Sequence, residues 1–205
     1  MNINSIDAII FDLGGVIINL DYQRTIDAFK SLGMSNFEEV YTQAQQSNLF
    51  DEYETGKISS QHFINQLLPF LPAGTSPNKV VHAWNEMILD FPLERLELLD
   101  QLKGTHRVFL LSNTNELHLQ SVERSLAKTT SRKLESFFEK VYLSHEVKLR
   151  KPHKEIFEQV CSEQKLNPSK TLFIDDTIGH INGAKSVGLI THHLQKEEEI
   201  IQLFS

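Results

Sequence analysis

Only one cysteine, Cys161, stands among the 205 residues. That excludes an intrachain disulfide framework and makes a reducing compartment the simplest expectation. No apolar stretch approaches the length needed to span a bilayer. The N-terminus has no basic region leading into a long apolar run, so it does not read as a signal peptide. Basic residues are outnumbered 20 to 27, for a formal charge of -7. This removes any general attraction to nucleic acid or an anionic membrane, though not a local basic pocket for a small anion. Internal repeats and low-complexity segments are missing too. What remains, 40% hydrophobic and 23% charged, describes an ordinary globule. Its length suits one large domain or one domain with an insert. A cytoplasmic monomer is expected.

The stretch from Ile6 to Asp21, IDAIIFDLGGVIINLD, organises the rest. Ile6, Ala8, Ile9, Ile10 and Phe11 run into Asp12, and Gly14 and Gly15 follow. A near-continuous apolar run predicts a strand buried on both faces, as in a parallel sheet under helices. A carboxylate at its C-terminal end sits where open α/β sheets hold their ligands. The two glycines free the backbone to turn sharply and approach whatever Asp12 contacts. On position alone, Asp12 reads either as a site carboxylate or as an aspartate that opens a loop.

From Arg24 to Phe91 the texture changes to helical spacing, as in Ile26, Phe29 and Leu32, then Phe37, Val40, Tyr41 and Ala44. Ser59 or Ser60 caps a helix with Phe63, Ile64, Leu67 and Leu68 on its apolar face. Asn78 to Leu89 reads as another helix, with Val81, Trp84, Met87 and Ile88 in one stripe. Beyond it, Leu93–Leu102 predicts a helix and Arg107–Ser112 a second buried strand, followed by Asn113-Thr114-Asn115. Further strands are expected at Phe138–Leu143, Thr171–Ile174 and Val187–Thr191, with helices between them and a last helix over Leu194–Phe204. Such alternation argues for a parallel doubly wound sheet. The helical stretch between the first two strands is too long for one crossover. It reads as an inserted cap over 20–92, hinged near Leu20 and Pro92, on a core made of 1–19 and 93–205.

Three strands end in polar clusters: Asp12, Ser112-Asn113 and Asp175-Asp176. In a parallel sheet these ends share one edge, and the loop carrying Lys151 should reach it. Three carboxylates, a hydroxyl, an amide and an ammonium suit phosphoryl transfer through an aspartate. Carboxylates can hold Mg²⁺, and the metal with a lysine offsets charge on the transferring group. Backbone N–H groups around Gly14-Gly15, with the Ser112 side chain, can bind its oxygens, and a carboxylate in line can attack phosphorus. Each cluster alone has a plainer reading as a helix cap, a turn or a surface loop.

Together they resemble the four motifs of the haloacid dehalogenase-like (HAD) hydrolases, in the subfamily with a small helical cap. Asp12-Leu-Gly-Gly-Val16 resembles the first, Ser112-Asn113-Thr114 the second, Arg150-Lys151-Pro152 the third and Asp175-Asp176 the fourth. With Asn115 following the second, the resemblance is closest to the glucose-1-phosphate-type phosphatase branch, and it spans Ile6 to about His192. It implies a Rossmann-like core with strand order 5-4-1-2-3. It further implies a magnesium-dependent phosphatase for a small phosphorylated metabolite. Asp12 would be nucleophile and metal ligand, joined by the backbone carbonyl of Gly14, by Asp175, and by Asp176 directly or through water. Ser112, the amide of Asn113, Gly15 and Lys151 would bind the phosphoryl group, with Lys151 also pairing with Asp12. Asn115, Trp84 and Asn85 would line the substrate pocket. Trp84 reads equally as cap core, and Asp21, Arg24, Asp51 and Glu54 read equally as surface residues or as neighbours of the substrate.

One position departs from the pattern. Most phosphatases of this family carry a second aspartate, a general acid and base, where this chain has Gly14. General acid–base help supplies about 10²–10⁴-fold, so a weakly active or inactive metal- and phosphometabolite-binding protein is the alternative. A cap side chain or water could also do the work. Dehalogenases likewise lack that aspartate, but they need no metal, and Asp175-Asp176-Thr177 fits the magnesium-dependent pattern better.

Overall fold

The computed structural model describes residues 3–34, 37, 39 and 48–204. Strands β1 (Ala8–Phe11), β2 (Arg107–Ser112), β3 (Lys140–Leu143), β4 (Thr171–Asp175) and β5 (Ile190–His193) form one parallel sheet. Their order is β3-β2-β1-β4-β5, the expected order read from the other edge. The described residues of the insertion include α1 (Tyr22–Ser31), α2 (Leu49–Glu54), α3 (Ser60–Leu67) and α4 (Pro77–Asn85). The sheet is wrapped by α5 (Leu93–Leu102), α6 (Glu116–Thr129), α7 (Ser144–Val147), α8 (Lys154–Gln164) and α9 (Ile178–Ser186).

Alternation along β1 explains the two cores. Ile9 and Phe11 face Leu96, Leu99 and Leu102 of α5 with Val122 and Leu126 of α6. Ala8 and Ile10 face Ile156, Phe157 and Val160 of α8 with Ile181 and Ala184 of α9. The central strand is therefore buried on both sides, as its continuous apolar run requires. Among the described residues no helix is long and apolar enough to cross a membrane.

The insertion has its own apolar centre of Phe29, Tyr53, Phe63, Val80 and Trp84, which Leu117 of α6 joins. Tyr53 stacks on Phe63 at 4.3 Å, and Phe50 lies parallel to Trp84 at 5.7 Å. Side chains of this size contribute about 1.5–3 kcal/mol each when buried. Asp21 caps α1 by accepting from Gln23 N at 3.0 Å, and Ser59 caps α3 by accepting from His62 N at 3.2 Å. The two chain crossings lie side by side. Asn19 N donates to Asp90 O at 3.0 Å, Leu89 N to Asn19 O at 3.1 Å, and Asp21 N to Met87 O at 2.9 Å.

Several elements differ from expectation. The helix expected over Asn78–Leu89 ends at Asn85, because the crossing captures the backbone beyond it; Met87 N also donates to Thr25 Oγ1 at 3.0 Å. The fifth strand starts at Ile190 instead of Val187, since Gly188 turns the chain with φ +86° after α9. No helix covers Leu194–Phe204, only a 3-10 turn at Ile200–Phe204. There Glu198 bonds to His192 and to Gln195 N while Glu199 pairs with Arg95, which holds the segment as a loop. The helical spacing at Val40, Tyr41 and Ala44 lies outside the described residues.

Candidate active site

Strand register brings the polar clusters together. Phe11 is level with Ile174 on β4 and with Leu110 on β2. Asp12, one residue on, is therefore level with Asp175 and one step short of Ser112. Between the two aspartates sits the Lys151 ammonium, 2.7 Å from Asp12 Oδ1 and 2.6 Å from Asp175 Oδ2. Lys151 and Asp175 are wholly buried, and Asp12 is 7% exposed. Asp12, Asp175 and Asp176 each bring a carboxylate oxygen within 4.8 Å of the others.

Lys151 reaches this position because its loop is held on two sides. The Asn113 side chain donates through Nδ2 to Lys151 O and accepts from Lys151 N, both at 2.9 Å. On the other side, α9 lies against Pro152 at Gly183, where a Cβ would come 2.1 Å from the Pro152 carbonyl oxygen. Ser144 secures the loop after β2. Its hydroxyl accepts from Thr114 N at 2.9 Å and donates to Thr114 O at 3.0 Å.

Charge is crowded here. Burial raises the Asp12 carboxyl to about 7; Lys151 opposes this, while Asp175 and Asp176 add to it. Burial also works to raise Asp175, but Lys151 and His180 outweigh it and hold that carboxyl below its ordinary value. For Lys151, burial is outweighed by its two carboxylate partners, so it stays an ammonium ion. Three carboxylates around one ammonium leave an excess of negative charge in an oxygen-lined space, the donor set that a hard divalent cation needs.

The glycines have distinct tasks. Gly15 has φ +71°, and a Cβ there would fall 2.2 Å from Asp176 Oδ2; only glycine lets the turn and that carboxylate coexist. Gly14 has no such torsion, but a Cβ on it would meet Leu20 Cδ1 at 2.6 Å. The space of the missing aspartate is partly filled by a residue of the chain crossing. A cleft of about 570 Å³ opens beside Gly15 and Asp176, walled in part by Leu20, Tyr22 and His193.

The three residues expected to line the pocket have other surroundings in the structure. Asn115 has no exposed surface: its Oδ1 caps α6 by accepting from His118 N at 3.0 Å, and its Nδ2 meets His118 Nδ1 at 3.2 Å. Each end of its amide is thus engaged with His118. Trp84 is held in the insertion's apolar centre, sandwiched between Phe50 and the His118 ring, which stacks on it at 4.8 Å. Asn85 lines a separate cleft of about 750 Å³ with Arg24, His82, Arg124 and Lys128, whose walls include none of Asp12, Ser112, Lys151 or Asp175.

Two features escaped sequence reasoning or were left open by it. His180, five residues after Asp175, puts Nδ1 3.0 Å from both oxygens of that carboxylate; its place in the first turn of the helix after the strand was the available signal. Arg150 pairs with Asp51 and, at 3.0 Å, with Glu54, drawing the C-terminal end of α2 down beside Lys151. Nothing in the spacing of Asp51 and Glu54 distinguished this from a solvated helix face.

Comparison with known proteins agrees with this geometry. The family model described as haloacid dehalogenase-like hydrolase matches residues 6–188. The D-ribitol-5-phosphate phosphatase of Bacteroides thetaiotaomicron is 30% identical over 183 residues, 89% of this chain and 89% of that protein. A HAD family enzyme from the same organism, crystallised with magnesium and inorganic phosphate, has a TM-score of 0.90 at 36% identity, covering 98% of this chain and 100% of the other. A predicted HAD-like family hydrolase from Porphyromonas gingivalis has a TM-score of 0.85 at 31% identity, covering 98% and 96%.

Proposed function

The chain belongs to the haloacid dehalogenase-like hydrolase family, and on that footing we propose that it is a magnesium-dependent phosphomonoester hydrolase. Its substrate is a small phosphorylated metabolite, a sugar or polyol phosphate, and it works through an aspartyl-phosphate on Asp12. The observation that carries this reading is the buried Lys151 ammonium bridging Asp12 and Asp175 at 2.7 and 2.6 Å. A phosphatase relative for a polyol phosphate and a close structural neighbour holding magnesium and phosphate support it.

The metal would be held by Asp12, the Gly14 carbonyl and Asp175, with Asp176 beside them. When bound, magnesium offsets charge on the transferring phosphoryl group. Lys151 orients the Asp12 carboxylate and opposes the rise that burial imposes on it, favouring the ionised form that attacks phosphorus. The Ser112 hydroxyl and the backbone N–H of Asn113 bind the phosphoryl oxygens; the Asn113 side chain is already spent on the Lys151 backbone, and the Gly15 N–H expected to help donates instead to Ile18 O at 2.9 Å. His180 holds Asp175 in place. Residues 20–92 act as a cap that excludes water during transfer and opens for release. The half-buried single thiol, Cys161, fits a reducing compartment, and the same reading makes the protein a cytoplasmic monomer.

The test is phosphate release from p-nitrophenyl phosphate and a panel of sugar and polyol phosphates, with magnesium and with EDTA. Release is expected to require the metal and to vanish in Asp12→Asn. Equal release from that variant would sink the proposal.

A further inference from the structure

We propose that Glu54, from the insertion, is the general acid and base of the reaction, in the role that Gly14 leaves vacant. This rests on the phosphatase reading above. Glu54 ends α2, and the turn that follows is locked onto the core. Lys148 Nζ donates to Gly56 O at 2.8 Å. Gly56, with φ +60°, lies so close to α7 that a Cβ would come 2.2 Å from His145 O. Arg150 draws the same end of α2 down from the loop side by pairing with Asp51 and Glu54.

The Glu54 carboxyl thus sits within electrostatic range of the Lys151 ammonium that holds Asp12. It belongs to the insertion and not to the sheet that carries the nucleophile. A leaving group displaced in line departs away from Asp12, and Glu54 in this role stands on that side. Glu54 Oε2 is buried and accepts no hydrogen bond of good geometry, although Arg150 Nη2 lies 3.0 Å away. Arg150 divides its charge between Glu54 and Asp51. Burial raises the Glu54 carboxyl to about 7, with Lys151 pulling the other way. Among the described residues His145 and Lys148 also lie against the turn that follows α2. A carboxyl so placed holds its proton in a fair share of molecules near neutrality, which general acid catalysis needs.

The chemistry balances. The Asp12 oxygen bonds to phosphorus and the bond from phosphorus to the alkoxy oxygen breaks. That oxygen keeps the electron pair and takes the proton from Glu54, leaving as the alcohol. Glu54, now a carboxylate, takes a proton from water as the water oxygen bonds to phosphorus. The bond to Asp12 breaks, releasing inorganic phosphate and restoring both carboxyl groups.

The experiment compares wild type, Glu54→Gln and Glu54→Asp in pre-steady state with magnesium, on D-ribitol 5-phosphate and on p-nitrophenyl phosphate. The first releases a poorly departing alkoxide, whereas the second releases a stable phenolate that needs no proton. For Glu54→Gln, kcat on the alkyl ester should fall about 10²–10⁴-fold. On the aryl ester the same variant should give a burst of one p-nitrophenol per enzyme followed by slow turnover, with phosphate trapped on Asp12. Glu54→Asp should recover part of the alkyl activity. Equal losses on both esters without a burst, in a variant that melts like wild type, would overturn the assignment while leaving the phosphatase reading intact. A wild type inert on both esters, beside an equally inert Asp12→Asn, would overturn both.

Discussion

Lys151 is the residue whose removal should be felt most in folding as well as in chemistry. Without it, Asp12 and Asp175 lose the ammonium they share and His180 supports only Asp175, and breaking a buried ion pair from one side costs about 3–5 kcal/mol. Lys151→Met should therefore lower the urea midpoint sharply as well as abolish turnover. Asp12→Asn removes a surplus negative charge, so in EDTA it should melt at or above the wild-type temperature; a lower melting temperature would contradict the crowding described for the site. His118 gives a pH dependence of known sign. Burial lowers it from its ordinary 6.5 to about 4, against the opposing bond to Trp84 O. The unfolded chain thus binds the proton more readily, and stability is full above about 6.5 and lost as pH falls toward 4. Between pH 7 and pH 5 the loss reaches up to about 2 kcal/mol. Urea titrations of wild type and His118→Gln should differ by that slope. The positions legible in sequence were those at strand ends, Asp12, Ser112 and Asp175, with Lys151 on a loop that reaches the same edge. The surroundings of Trp84 and Asn85 were not legible, because a helical side chain's direction depends on what the helix lies against and spacing does not record that.

Among the elements, α9 most directly supports the chemistry without touching it. Its Gly183 lies against the Pro152 carbonyl beside Lys151, so a methyl group there must push the loop or the helix away. Overpacking of this kind costs about 1–3 kcal/mol. Gly183→Ala should lower the urea midpoint by that amount and reduce kcat, since Lys151 moves with its loop; unchanged kcat would show that the loop yields without carrying the ammonium. Element types were mostly legible where periodicity was long, as in α5, α6 and α8. Boundaries failed where tertiary hydrogen bonds overrode local pattern. α4 stops at Asn85 because Thr25 and Asp21 claim the backbone at Met87. The segment after Leu194 is kept from a helix by Glu198 and Glu199, which reach back to His192 and Arg95.

For the molecule as a whole, occupancy of the site and stability of the fold should be linked. Magnesium at about a hundred times its dissociation constant adds about 2.7 kcal/mol through mass action, equivalent to about 5–10 °C in a chain of this size. Calorimetry with magnesium and with EDTA should show that shift in wild type and lose it in Asp175→Asn; a shift of the same size in both would place the metal elsewhere. The paired crossings also say something about modularity. Since Asn19 and Asp90 are one hydrogen bond apart, the seventy residues or so between them form a loop whose ends already meet. A short turn joining those two positions would close the sheet domain without stretching it. Two such chains could exchange everything between those points and keep the same hydrolytic centre. A lineage built this way can change what it admits to its chemistry by trading one continuous piece of gene, with both seams falling at a single spot on the surface.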